Sequence, residues 1–170
     1  MQKEGELSLK KRHIMLSYKA HFMGSSYTNL NVHIIFHTKS NNHCIMKEDD
    51  LPRIFRYIGG IIKTMDGYPY MVGGRQDHIH ILTTIPPKFG VSDFVRTIKA
   101  SSSKWIKSIE SCYKLFSWQE GYGAFSVSQS NVNAVVDYIS NQEQHHRICT
   151  THEEFNQFLL KHNILTARKS

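Results

Sequence analysis

The spacing of apolar residues changes several times along this chain, and the order of those changes limits the possible folds most strongly. Leu30–Thr38 is β-branched and apolar, which is typical of a buried strand. In Glu48–Met65 the apolar residues recur at steps of three and four, which predicts an amphipathic helix. Asp66-Gly67 would end that helix.

Two short strands are predicted next, at Tyr70–Val72 and Ile79–Ile85. Gly73-Gly74 and Asp77 would join them, and Pro86-Pro87 would end the second strand.

The second half of the chain alternates in the same way. Ser92 is expected to cap a second helix, and the aromatic, glycine-rich stretch Phe116–Val127 predicts a bent strand or hairpin. Ser130 or Asn131 would cap a third helix that runs through His145. A short terminal helix is expected after a capping box that begins at Thr151.

The order of these elements is strand, helix, strand, strand, helix, strand, helix, helix. This order predicts an α+β fold, in which an antiparallel sheet carries helices mainly on one face, as in the ferredoxin-like split βαβ arrangement. We expect the folded domain to span residues 27–165. Residues 1–26 would be a basic extension, flexible or a consequence of start-site choice, and residues 166–170 a tail.

The charge balance points to polyanionic partners. The formal net charge is +7 and the pI about 9.3, which favours nucleic acid, although a basic soluble protein without such a partner would look the same. No apolar run is long enough to span a bilayer and no secretory leader is recognisable, so we expect a cytoplasmic protein without a membrane partner. Three cysteines without paired spacing indicate reduced thiols.

A histidine pair on the predicted second strand of the middle hairpin could bind a metal ion. His78 and His80 are two residues apart, so they would present two imidazoles on one face while Ile79 and Ile81 point to the other. Two imidazoles on one strand form half of a metal site. Because the chain has eleven histidines, a chance pair of half-buried strand histidines is the more ordinary interpretation of this motif taken alone.

The third predicted helix carries a tyrosine and a glutamine on one face. Tyr138 and Gln142 are four residues apart, so the phenol oxygen could act as a nucleophile beside an amide oxygen that suits a hard cation. The alternative is a surface tyrosine next to a solvated glutamine. His145 and Arg147 follow, and they could bind phosphate or complement the C-terminal end of the helix dipole.

Other residues could contact nucleic acid. Arg96, Lys99, Ser103 and Lys104 could line one helix face and bind a phosphate backbone, or they could form a polar outer face. The aromatic stretch Trp118–Phe125 could stack bases or simply pack. His33 and His37 on the first strand are more typical of core positions or of residues that support a neighbouring ligand.

The joint order of these stretches resembles one known family. The stretches that carry the resemblance are Val32–Lys39, Gly73-Gly74 with Asp77–His80, Pro86-Pro87, Ile98-Lys99 with Ser101–Ser103, Trp118–Ser128 and Tyr138–Arg147. Together they are similar to the single-tyrosine HUH transposases of bacterial insertion sequences and their repeat-associated relatives, where HUH denotes histidine, bulky hydrophobe, histidine. Asn41-Asn42, where more basic residues are expected, and the long N-terminal arm depart from the pattern.

The resemblance implies a site and a reaction. His78, His80 and Gln142 would hold Mg²⁺ or Mn²⁺, and Tyr138 would attack the scissile phosphate of single-stranded DNA at hairpin-bearing element ends. The products would be a 5′-phosphotyrosine link and a free 3′-OH. The family also implies a homodimer in which the tyrosine helix of one subunit completes the histidine site of the other.

Two other functions are compatible with the same residues. One is a non-catalytic module that binds nucleic-acid hairpins, and the other is a metal-dependent nuclease that uses water instead of tyrosine as the nucleophile.

Overall fold

The computed structural model describes residues 27–39 and 46–141. This part of the chain contains four strands: β1 (Asn31–His37), β2 (Pro69–Arg75), β3 (His78–Thr84) and β4 (Gly123–Ser126). It contains three α-helices: α1 (Leu51–Thr64), α2 (Val91–Ile109) and α3 (Val132–Ser140). Short 3₁₀ turns at Glu48–Asp50, Ser111–Tyr113 and Gln129–Asn131 precede α1, follow α2 and precede α3.

The strands form one antiparallel sheet in the order β2-β3-β1-β4. β3 lies between β1 and β2 and pairs antiparallel with both, so β1 and β2 run parallel to each other without touching. This is the split βαβ arrangement, and the α+β prediction is confirmed.

One face of the sheet carries the main hydrophobic core. Alternation places Ile34 and Phe36 of β1 and Ile79 and Ile81 of β3 on this face, and all four side chains are completely buried. The apolar sides of α1 and α2 pack on them, so these two helices cover this face of the sheet. The steps of three and four in the α1 sequence are therefore the pattern of its buried side, as predicted.

The third helix lies on the opposite face. Val132 and Ile139 of α3 pack with Leu82 of β3 in a second, smaller cluster, and Leu82 points away from the main core. The prediction of helices mainly on one face is therefore accurate for α1 and α2. The predicted nucleophile Tyr138 is on the helix that covers the other side.

A glycine on β2 allows α3 to lie close to the sheet. A Cβ atom at Gly73 would be 2.7 Å from Ile139 Cγ2 and 3.1 Å from the Ile139 carbonyl oxygen. These distances are too short for any side chain larger than hydrogen without movement of the helix. Gly74 has a φ of +142°, a backbone conformation that favours glycine.

Several local predictions need adjustment. Gly73-Gly74 was expected to join two strands but belongs to β2, and the turn that follows is at Gln76-Asp77. The cap position of α2 is Gly90, and not Ser92 as predicted. The α1 helix does end before Asp66, which adopts a left-handed conformation with φ 63°, as the Asp66-Gly67 stop predicted.

Some predictions fall outside the described residues. These are the N-terminal extension, the continuation of the third helix to His145 and the terminal helix after Thr151. None of the helices in the described part of the chain has the length and apolarity that crossing a bilayer requires.

Candidate active site

The α3 face of the sheet carries the histidine pair. His78 and His80 of β3 both point to this face, and His78 is paired in register with His37 of β1. The predicted arrangement on one strand face is therefore present. Each of the two side chains is 1% exposed.

Both imidazoles are held through their Nδ1 atoms. Asp77 Oδ1 lies 2.7 Å from His78 Nδ1, and His33 Nε2 lies 3.0 Å from His80 Nδ1. When Nδ1 is the protonated nitrogen that donates, Nε2 carries the lone pair that can bind a metal ion. The asymmetry of these two partners, a carboxylate and an imidazole, could not be read from the His-x-His motif.

Tyr138 lies against this histidine group within the same chain. Its ring centroid is 5.7 Å from that of His80 and 6.3 Å from that of His33, with edge-to-face geometry in both cases. The Tyr138 hydroxyl oxygen is shielded from solvent, although the residue as a whole is only half-buried. The sheet face therefore brings the predicted nucleophile and a predicted metal ligand together without a second subunit.

The donor set fits a divalent metal ion, although it is incomplete in the described part of the chain. Two imidazoles with oriented Nδ1 atoms are suitable ligands for manganese or similar ions. Among residues 27–39 and 46–141, no group of three or more His, Cys, Asp or Glu side chains could hold a metal ion. Gln142, the third predicted ligand, lies outside the described residues, as do His145 and Arg147.

Three of the four predicted DNA-contacting residues of α2 lie along a cleft of about 470 Å³. Arg96, Lys99 and Ser103 line one side of it, and Trp118 and Tyr122 from the aromatic stretch contribute to the other. Arg96 is largely exposed and pairs with Asp93 of the same helix at 2.7 Å. Lys104, which is also exposed, is not among the residues that line this cleft.

Lys99 has a structural role that its sequence position did not predict. Its ammonium group donates to the carbonyl oxygens of Gln119, Glu120 and Gly121, at 2.5, 3.0 and 3.1 Å. Burial lowers the pKa of Lys99 from its ordinary value of 10.5, while the charge of Glu120 opposes that shift. Lys99 thus closes the loop that follows Trp118.

That loop reaches the histidine face. Gln119 Nε2 lies 3.3 Å from His37 Nδ1, and the His37 ring centroid is 5.7 Å from that of His78. Residues on the cleft and on the histidine face are therefore linked by direct contacts through Gln119. Asp77, Gly73 and Gln119 are the site residues for which the sequence analysis gave no site role; the position of Asp77 beside the histidine pair was the one available signal.

The comparison with protein families identifies the chain. Its residues 26–142, more than half of the sequence, match the family described as "Transposase IS200 like". The chain belongs to this family of transposases, and the resemblance inferred from its motifs is confirmed. A comparison with curated protein sequences found no match.

Two solved structures share the fold. One is a candidate transposase from Deinococcus radiodurans R1, with 23% identity, a TM-score of 0.50, and coverage of 70% of this chain and 95% of the other. The other is a REP-associated tyrosine transposase bound to a REP hairpin, with 14% identity, a TM-score of 0.52, and coverage of 72% of each chain. At these identities the likeness supports the fold.

Proposed function

We propose that this protein cleaves and rejoins single-stranded DNA at hairpin-bearing ends of a mobile element, with Tyr138 as the nucleophile. The observation that carries the proposal is the position of the Tyr138 ring beside His80, on a sheet face where both HUH histidines are buried. The family assignment supports a transposase, and the cytoplasm is the expected place of action.

In the proposed cleavage, the Tyr138 oxygen attacks the scissile phosphorus in line with the departing oxygen. The bond from phosphorus to the 3′ oxygen breaks, and the 3′ oxygen leaves as a hydroxyl after it takes up a proton, while the phenol loses one. The product is a 5′-phosphotyrosine. Because this link keeps the phosphodiester energy, a 3′-OH can attack it later and rejoin the DNA without ATP.

His78 and His80 would hold the metal ion through Nε2, together with Gln142, and Mg²⁺ or Mn²⁺ are the proposed ions. When bound, such an ion neutralises charge on the phosphoryl oxygens and orients them for displacement. Asp77 and His33 hold the two imidazoles from behind, and the burial of the site excludes bulk water from the phenol.

The proposed substrate is single-stranded DNA with a stem-loop. One fold neighbour is described as bound to a REP hairpin, which supports a hairpin as the recognised feature. The cleft beside α2 offers Arg96, Ser103 and aromatic side chains for the phosphate chain and the bases. His145 and Arg147 are proposed further contacts, as is the exposed Lys104.

A homodimer with shared active sites remains part of the proposal, as the family implies. Tyr138 already contacts His80 of its own chain, so each subunit could also act with its own tyrosine. Mixing Tyr138→Phe protein with His80→Ala protein separates the two arrangements. Cleavage by the mixture requires a shared site, because neither protein alone has a complete one.

The test of the proposal is covalent capture. The substrates are single-stranded oligonucleotides from the DNA that flanks the coding sequence. Each contains a hairpin and carries a label at its 3′ end, and it is incubated with the full chain and Mg²⁺ or Mn²⁺. We expect a labelled protein band on a denaturing gel, and none with Tyr138→Phe. Tyr57→Phe is the matched control, because Tyr57 stacks on Trp105 on the other side of the sheet, and it should form the adduct normally.

The other outcomes are equally informative. Adduct formation by Tyr138→Phe would exclude this residue as the nucleophile. Release of a 5′-phosphate without an adduct would favour the nuclease that uses water, and a gel shift without cleavage would favour the binding module. Efficient cleavage of a perfect duplex would contradict the single-strand requirement.

A further inference from the structure

We propose that His33 is a positioning residue that fixes which ring nitrogen of His80 faces the metal ion. The inference rests on the proposed function, because it concerns the same site. It assigns a specific role to a histidine outside the HUH motif.

The contact between the two rings is direct and buried. His33 Nε2 lies 3.0 Å from His80 Nδ1, the ring centroids are 5.2 Å apart, and the rings are stacked with an interplanar angle of 25°. His33 is 1% exposed, as is His80. The strand register explains the contact. His33 is paired with Leu82 on β3, and Leu82 is the next residue after His80 on the same face of the sheet, so His33 and His80 are diagonal neighbours.

A hydrogen bond between two imidazoles has a direction. If His33 Nε2 donated its proton, His80 Nδ1 would have to be the bare nitrogen, and a neutral His80 would carry its proton on Nε2. That tautomer cannot bind a metal ion through Nε2. If His80 Nδ1 donates to His33 Nε2, the lone pair of His80 is on Nε2, as a ligand requires. His33 is therefore assigned as the acceptor.

The same logic already applies to the other ligand. Asp77 Oδ1 can only accept when it is ionised, so His78 Nδ1 must donate to it. His33 would accept the Nδ1 proton of His80 as Asp77 accepts that of His78, but His33 is an uncharged acceptor and Asp77 a charged one. His33 also contacts the ring of Tyr138, so one side chain holds a ligand and packs against the nucleophile.

The hydrogen-bond direction can be measured without metal or DNA. Long-range ¹H–¹⁵N spectra of histidine-labelled full chain distinguish protonated from bare ring nitrogens, and a His80→Gln spectrum identifies the His80 signals. We expect His80 to be protonated on Nδ1 and bare on Nε2. His33→Leu should shift this tautomer balance, while His33→Gln, whose amide oxygen can accept, should retain more of it. An Nε2-protonated His80 in the wild-type chain would overturn the assignment.

Metal affinity gives a second readout. Titration of the full chain with Mn²⁺ alone should show weaker binding for His33→Leu, by roughly 10- to 100-fold, and partial recovery for His33→Gln. Ile34→Val is the matched control, because Ile34 is the next residue on β1, is fully buried and points to the opposite face. It should bind Mn²⁺ like the wild type despite its lost methyl group.

The two proposals can fail separately. If the wild type binds Mn²⁺ and His78→Ala does not, but His33→Leu binds like the wild type, the role of His33 is refuted and the metal site stands. If His78→Ala and His80→Ala bind Mn²⁺ as the wild type does, the proposed metal site is refuted and the role of His33 with it.

Discussion

The partners of the ring nitrogens set the histidines of this sheet apart from ordinary core residues. A buried histidine needs hydrogen bonds wherever it lies, so burial of His78 and His80 alone says little about function. Here both Nδ1 atoms face groups that can accept a proton, Asp77 for one and His33 for the other. When both Nδ1 atoms donate, both Nε2 atoms carry the lone pair that a metal ligand requires.

A conservative substitution of Asp77 tests this interpretation. Asp77→Asn keeps the size of the side chain but removes its charge, so His78 loses its ionised acceptor. We expect metal-dependent cleavage to fall by about 10- to 100-fold, while His78→Ala abolishes it. Hairpin affinity, measured by gel shift, should change little in either variant, because it depends mainly on basic residues. Cleavage by His78→Ala at the rate of the wild type would contradict the assignment of His78 as a metal ligand.

A buried tyrosine on the other side of the molecule gives a prediction about pH. The Tyr113 hydroxyl donates to Asp50 Oδ2 at 2.9 Å and accepts from the Lys47 backbone N–H at 2.7 Å. Burial, with a smaller contribution from Asp50, raises the pKa of Tyr113 from 10.0 to about 12. The neutral phenol is therefore favoured in the folded state.

The sign of the effect follows from linkage. Below pH 10 the Tyr113 phenol keeps its proton in both the folded and the unfolded chain, and its contribution to stability is fully present. Between pH 10 and 12 only the folded chain keeps this proton, so the free energy of unfolding falls as pH rises. Urea denaturation should show that the advantage of the wild type over Tyr113→Phe narrows above pH 10. A constant difference between the two proteins from pH 8 to 11 would contradict the prediction.

The contact between α3 and β2 determines where Tyr138 lies. The helix rests on Gly73 through the Cγ2 methyl and the backbone carbonyl of Ile139, so this one residue limits the distance between helix and sheet. Tyr138 precedes Ile139 directly, and a displacement of this turn would move the phenol away from His80.

A methyl group at Gly73 should therefore affect catalysis more than folding. Gly73→Ala is expected to cost about 1–3 kcal/mol of stability through overpacking, and to reduce covalent adduct formation at saturating hairpin DNA. Gly60→Ala is the control: it lies on the exposed side of α1, nothing lies within 4 Å of its added Cβ, and it should stabilise by about 0.5–1 kcal/mol. Normal adduct yield in Gly73→Ala would show that the helix adapts without loss.

The elements themselves were largely predictable from sequence, and their placement was not. Periodicity identified β1, α1, the β2–β3 pair and α2, because each pattern is local. It could not show that the strand pattern continues through Gly73-Gly74, since glycine carries no apolar signal. Nor could periodicity assign α3 to the opposite face, because the apolar residues of an amphipathic helix show which side of the helix is buried but not which surface it packs against.

The sheet separates two hydrophobic clusters of unequal size. The larger one unites α1 and α2 with one sheet face. Among the described residues, the smaller one has only Leu82, Val132 and Ile139 as its buried members. Apolar burial is the main stabilising contribution, so the contacts that hold α3 should be weaker than those that hold the other helices.

This inequality should be visible in amide exchange. We expect the backbone amides of α3 to exchange with solvent faster than those of α1 and of the central strands, through local opening that leaves the main core intact. Hydrogen–deuterium exchange of the full chain, read by mass spectrometry on peptides from each element, measures this. Equal protection of α3 and α1 would mean that the second cluster is as stable as the first.

The candidate site was predictable to the extent that its members are marked by residue type. His78, His80 and Tyr138 were identified from sequence, and the structure brings His80 and Tyr138 into contact. The residues that hold the histidine side chains were harder to predict from sequence, because a hydrogen bond between His33 and His80 depends on the register of two strands far apart in sequence. The expectation that His33 is a core residue or supports a neighbouring ligand became specific only with that register.

The three carbonyl groups around Lys99 also change what a DNA strand would meet. Condensed cations are released when a free Lys or Arg neutralises a phosphate, and each such contact with a single strand adds about 0.7 to the slope of log affinity against log salt. The field of the Lys99 ammonium is already partly cancelled by backbone dipoles of residues 119–121. One of the 21 Lys and Arg side chains of the chain is therefore less available than its charge suggests to exchange places with the salt around a nucleic acid.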